Sequence, residues 1–280
     1  NVDVARRHRW IRGDWQILPW LQRRVPGMEA GCTANPLSAL SQWKILDNLR
    51  RSVVPMGLLG LFLGLGFTKA VPAMAGPAVL VALIGMPSLL AFVVGILHKP
   101  LDQRWGMHLY DSGRSLGRQA CQVVLTIAFL PHDAFISLDA IARTLARMWV
   151  TRRNLLEWQT SGASGRSSRR GLLGFHQDLW MCPGVAMLLL GGIFTGGVHA
   201  SVGYLPILAL WFAAPTLAWW ISQPIRVKVP DLTSEQVGFL RVTARRTWHY
   251  FETFVTAEEN WLPPDNFQEA PVTATASRTS

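Results

Sequence analysis

The residues best suited to chemistry lie near the start of the chain, in the segment VARRHRWIRGDWQILPW. Arg6, Arg7, Arg9 and Arg12 crowd around Trp10 and Trp15. A guanidinium offers a planar fork of donors that matches phosphate oxygens, so a cluster of them suits a diphosphate. An indole face suits a sugar ring, whose axial C–H groups pack on aromatic surface. Together they fit a nucleotide-sugar handled at the edge of a membrane. The same stretch also fits a juxtamembrane polybasic segment that binds anionic lipid, and taken alone it does not separate the two.

Other chemistries have little support. His132 and Asp133 are adjacent, but no further metal ligands follow at helical spacing. The seven histidines are scattered, and none falls into a frame with a serine and a carboxylate. No glycine-rich phosphate loop joins a strand to a helix; the glycines cluster in apolar runs instead. Three widely spaced cysteines, Cys32, Cys121 and Cys182, make neither a disulfide framework nor a zinc site. The net charge of +10 comes from 27 basic against 17 acidic residues, while mean hydropathy is +0.22. Only 16% of residues are charged, against roughly 25% in ordinary globular chains, so the basic excess points to lipid or a phosphate-bearing substrate rather than to nucleic acid.

Stepping along the chain, four apolar runs stand out, at 53–68, 79–97, 180–198 and 205–221. The first would be roughly 24 Å long as a helix, a little short of a 30 Å hydrocarbon core, but Arg51 and Lys69 can snorkel from its ends. Its Gly57, Gly60, Gly64 and Gly66 predict a small face for helix contact. Ionisable residues are nearly absent from all four runs, which removes the usual mark of an ion pathway. Between the second and third runs the arginines return. The apolar stretch 119–130 is short and closed by Pro131. Asp133 then reads as an N-cap for an amphipathic helix with an apolar stripe of Ala134, Leu138, Ile141, Leu145 and Met148. Its Asp139 and Arg143 are four apart and favourably ordered. Such a helix fits the membrane surface or a neighbouring cytoplasmic domain about equally. Residues 161–165 read as a loop. Near the end, Thr233 and Gln236 form a capping box ahead of a stripe of Val237, Leu240, Ala244, Trp248 and Phe251. The final PVTATASRTS reads as a linker.

The fold class expected is mainly α, a polytopic membrane protein with about four transmembrane helices in two pairs plus amphipathic interfacial helices. The domains run 1–50, 51–97, 98–179, 180–222 and 223–280. Lys and Arg are concentrated in the first, third and fifth of these, which the positive-inside rule places in the cytoplasm together with both termini.

The motif Arg6-Arg7-His8-Arg9-Trp10 fits the (Q/R)xxRW pattern of processive, membrane-bound glycosyltransferases such as cellulose synthase. Its extension is more specific: RHRWIRGDWQILPWL, NPLSALSQWKILDNLRRS, TRRNLLEWQT and TWHYFETFVTAEENWLPPDNFQE. In this order, over nearly the whole chain, these stretches resemble bacterial cyclic β-1,2-glucan synthases. The last two do not fit a cellulose synthase. The resemblance implies a glucosyltransferase of the inner membrane that uses UDP-glucose and a divalent metal, Mg or Mn, to extend a β-glucan. It implies that residues 1–50 close the cytoplasmic transferase domain and that residues 223–280 lead toward a glycoside-processing region, whose start Arg278-Thr279-Ser280 resembles. Residue by residue, Arg9 would help hold the UDP diphosphate, Trp10 would form part of the acceptor-sugar platform, and Arg6 takes the first motif position. The catalytic aspartates and metal ligands are expected upstream of this stretch, so these 280 residues alone should not transfer glucose. Asp14 reads as a local hydrogen-bonding residue. The competing reading from another class is a non-catalytic membrane scaffold or transporter-like module, which polar residues inside the spans would favour.

Overall fold

A computed structural model describes residues 2–26, 31–153, 171–197, 202–223 and 231–276. The 161–165 loop, most of TRRNLLEWQT and residues 278–280 lie outside the described residues. The chain divides into two units, Asn1–Gln223 and Pro224–Ser280.

The first unit opens with α1 (Val2–Gln16), a short 3-10 turn and a small hairpin of β1 (Arg24–Pro26) and β2 (Cys32–Ala34). Then come α2 (Ala39–Phe67), α3 (Ala75–Leu97), α4 (Trp105–Ala146), α5 (Leu172–Asp178), α6 (Met181–Phe194) and α7 (Tyr204–Ile221). Among the described residues, four helical stretches are long and apolar enough to cross a membrane: Ala39–Phe67, Ala75–Leu97, Trp105–Thr151 and Tyr204–Ile221. The chain is a mainly α, polytopic membrane protein, as the apolar runs indicate.

The 180–198 run forms the 14-residue α6, which together with α5 is also apolar and long enough to cross, as a pair bent by 64°. Gly196, at φ +72°, takes a left-handed turn just beyond α6. The span that the sequence does not predict is α4, 42 residues and roughly 63 Å long. It runs straight through Pro131, where the sequence suggests a break and a separate surface helix. The reason is visible one turn back. Proline has no N–H, so the Ile127 carbonyl loses its helical partner. The indole of Trp211 on α7 donates to that carbonyl at 2.8 Å. Leu130, Pro131, His132 and Ala134 are all buried around the same point. The two expected helix pairs are therefore bridged. The N-terminal half of α4 lies along α3, where His108 Nε2 meets the Ile96 carbonyl at 3.3 Å, and its C-terminal half lies along α1 and α2.

The main core joins Phe62, Leu80, Ile127, Leu130, Cys182, Tyr204 and Trp211. Phe62 packs edge-on against Trp211, with centroids 5.3 Å apart, and tilted against Tyr204 at 4.8 Å. Of the expected small face of α2, Gly66 is buried but the other three glycines face open space. Added Cβ atoms at Gly57, Gly60 and Gly64 would meet nothing within 4 Å. The close approach is at Gly76 of α3, where a Cβ would press on the Tyr204 ring and hydroxyl and come 3.4 Å from the Phe62 carbonyl. Tyr204 is fully buried and cannot swing aside. Gly76→Ala should therefore cost about 1–3 kcal/mol of stability, the usual penalty of overpacking. The Tyr204 hydroxyl is buried without a partner among the described residues, so adding Tyr204→Phe should recover much of the loss. Thermal unfolding in detergent would check both, and equal midpoints for Gly76→Ala and wild type would contradict the packing.

In the second unit, α8 (Ser234–Phe254) begins with the capping box at Thr233 and Gln236. Its apolar stripe is exposed along most of its length. The stretch read as a linker holds more order than expected. Strands β3 (Asn266–Gln268) and β4 (Ala274–Ala276) pair antiparallel. Phe267 stacks on Phe254 of α8 at 4.6 Å, and the Tyr250 hydroxyl donates to the Pro264 carbonyl at 2.9 Å.

Candidate functional site

The Arg/Trp segment is helical throughout, and the helix sorts its residues by face. At 100° per residue, Arg7, Ile11 and Trp15 fall near one line, facing α2 and α4. Ile11 is buried against Ala140 and Ile141, with Met56 and Leu145 beside them. The Trp15 indole donates to Ser52 Oγ at 2.8 Å, and that hydroxyl donates to the Leu49 carbonyl. Arg7 Nη1 pairs with Asp133 Oδ1 at 2.7 Å, and His8 Nε2 meets Asp139 Oδ2 at 3.0 Å. Asp139 also accepts from Arg143 Nε at 2.7 and 2.8 Å, the four-residue pair expected from the sequence. Ion pairs this exposed contribute about 1 kcal/mol or less each. Their effect is to fix how α1 lies on α4.

Arg9 and Trp10, two of the residues singled out above, share one cleft of about 680 Å³. Trp10 is 63% exposed, an unusual position for an indole. Arg6 is not part of the cleft wall. Its guanidinium carbon lies 6.0 Å from the Trp10 ring centroid, at the outer limit of a cation–π contact. The far wall comes from Asp14 on α1, which hydrogen-bonds locally as the sequence suggests, from Arg51 on α2, read there only as a flank of the first span, and from two residues that the sequence did not single out, Asn48 on α2 and Ser137 on α4. Asn48 and Arg51 lie inside NPLSALSQWKILDNLRRS, so the resemblance marked their stretch but not their role. Arg51 is held by Asp47 at 2.6 Å, which also accepts from Arg50. Burial keeps the Asp14 carboxyl above the ordinary carboxylate value, against the opposing pull of the Asn48 hydrogen bond and the Arg51 charge.

The cleft does not suit a divalent cation. Asp14 is the one carboxylate among its lining residues, and Arg7, Arg9 and Arg51 line it too. Among the described residues no group of three or more metal-ligating side chains occurs. Beyond the Arg7–Asp133 pair lies a second cavity of about 610 Å³, with Arg7, Phe129, His132, Asp133, Phe175 and Ile221 in its wall.

No protein-family model matches the chain. The whole chain is similar to part of the cyclic beta-(1,2)-glucan synthase NdvB of Rhizobium meliloti (strain 1021), with 38% identity over 283 residues. The chain spans about one tenth of that protein's length.

Proposed function

Similar from end to end to a stretch of a glucan synthase, the chain is, we propose, the membrane section of a processive glucosyltransferase that builds cyclic β-1,2-glucan from UDP-glucose. It sits in the bacterial inner membrane with both termini in the cytoplasm. The observation that carries this reading is the meeting of Arg9 and Trp10 in one open cleft while their neighbours Arg7 and His8 are tied down on α4. A helix serving only as a polybasic lipid anchor has no need to hold an indole beside a polar wall.

In this reading the arginines lower the cost of the negative charge that gathers on the departing diphosphate. Trp10 supports the ring of the acceptor sugar, so that its attacking hydroxyl is presented in one orientation. The divalent metal, Mg or Mn, and the carboxylates that bind it belong to residues upstream of this chain, as does the catalytic base. The surrounding partners are the growing glucan, UDP-glucose and membrane lipid. The orientation draws support from the concentration of Lys and Arg ahead of the first span.

The test uses the intact protein in lipid nanodiscs, with radiolabelled UDP-glucose and Mg or Mn. The expected result is label in a β-1,2-linked, cyclic product. A folded preparation that leaves UDP-glucose unconsumed with either metal would overturn the reading.

A further inference from the structure

We infer that Asp14 and Asn48 form the hydroxyl-reading wall of the sugar site, so that the first membrane helix completes the acceptor subsite opposite Trp10. This deepens the glucosyltransferase reading and rests on it.

Trp10 and Asp14 are one helical turn apart and point the same way. Between them Gly13 is exposed, and a Cβ there would meet nothing within 4 Å, so the space from indole to carboxylate is open. Across it, Asn48 Nδ2 on α2 reaches Asp14 Oδ1 at 3.4 Å, a long and weak hydrogen bond. Two other polar groups of the wall are committed elsewhere. The Ser52 hydroxyl is occupied by Trp15 and Leu49, and Arg51 is held by Asp47. Asp14 and Asn48 keep capacity to spare. An ionised carboxylate accepts up to about four hydrogen bonds and donates none, so its missing partners must be donors. With Arg7, Arg9 and Arg51 lining the same cleft, a cationic ligand is disfavoured. A neutral donor remains, and a sugar hydroxyl is that donor, with its ring face on Trp10. The Asn48 amide can serve the same ring from the side, as donor and acceptor at once.

The raised carboxyl of Asp14 supports this. A carboxylate whose value rises on folding adds stability below its ordinary value of 3.8 and loses it as pH climbs through the raised one. At neutral pH the ionised Asp14 therefore works against folding, and Asp14→Asn should not destabilise the protein.

The experiment measures equilibrium binding of a linear β-1,2-glucan, and separately of UDP, to the intact protein in nanodiscs. Asp14→Asn should weaken glucan binding about tenfold, the loss expected for hydrogen bonds to a charged group. Asn48→Ala should weaken it about threefold, and UDP binding should stay within twofold for both. Either variant suffices should the other fail to accumulate. Glucan affinity unchanged in the variants, or lost in parallel with UDP affinity, overturns the inference. If wild type still incorporates glucose in that case, the glucosyltransferase reading survives. Wild-type protein that neither binds glucan nor incorporates glucose overturns both.

Discussion

Trp10→Ala in the intact protein is expected to reduce glucan elongation by about thirtyfold or more while leaving membrane insertion and thermal stability near wild type. The dissociation of the two effects follows from where the indole sits. At 63% exposure it contributes little to the core, and surface substitutions of that kind usually change stability by about 0.5 kcal/mol or less. As the supporting face for a sugar ring it has no substitute among the cleft's lining residues, since Trp15 is turned away and pinned to Ser52. Truncating an aromatic anchor in a binding site typically costs about 2 kcal/mol or more, which is roughly thirtyfold in kcat/KM. The loss should appear against the growing chain, as shorter products and weaker glucan binding, with the UDP-glucose KM little changed. Trp10→Phe should recover part of the rate, because a smaller aromatic face remains. Arg6→Ala should have a smaller effect, as Arg6 touches only the outer side of the indole. Normal glucan output from Trp10→Ala would leave the cleft without a sugar-binding role.

What could be read from the sequence follows the range over which each signal acts. The capping box at Thr233 and the Asp139–Arg143 pair depend on residues within one helical turn, and they appear as expected. The apolar runs at 53–68, 79–97 and 205–221 are helical, because burial of a long apolar segment does not depend on its partners' identity. The far wall of the cleft was hidden for the opposite reason. Asp14 reads in the sequence as a local hydrogen-bonding residue, and its partner Asn48 lies 34 residues away, beyond the reach of any helical spacing. The bend between α5 and α6 is not legible in the 180–198 run, because apolar composition reports hydrophobicity and not helix direction. The amphipathic helix expected after Pro131 is present and packs on α1, but the break expected ahead of it is absent. Proline is a reliable local stop signal, and what cancels it here is a tryptophan 80 residues further on.

That cancellation carries the largest stability effect expected of a single substitution in this chain. Trp211 is fully buried, and it does two jobs: its ring fills the space between Phe62 and α4, and its N–H replaces the helical donor that Pro131 lacks. Trp211→Ala should cost about 3–5 kcal/mol, the range for removing a large buried aromatic. Trp211→Phe keeps most of the packing but orphans the Ile127 carbonyl, and should cost about 1–3 kcal/mol. Pro131→Ala offers the separating test, since alanine restores a backbone N–H four residues after Ile127. If the indole works as a replacement donor, Trp211→Phe should cost clearly less in the Pro131→Ala background than in wild type. The two changes would then couple by roughly 1 kcal/mol in a double-mutant cycle. Unfolding midpoints in a single detergent give all four corners of that cycle. Additive effects would mean that the continuity of α4 through Pro131 owes nothing to the indole N–H and rests on packing alone.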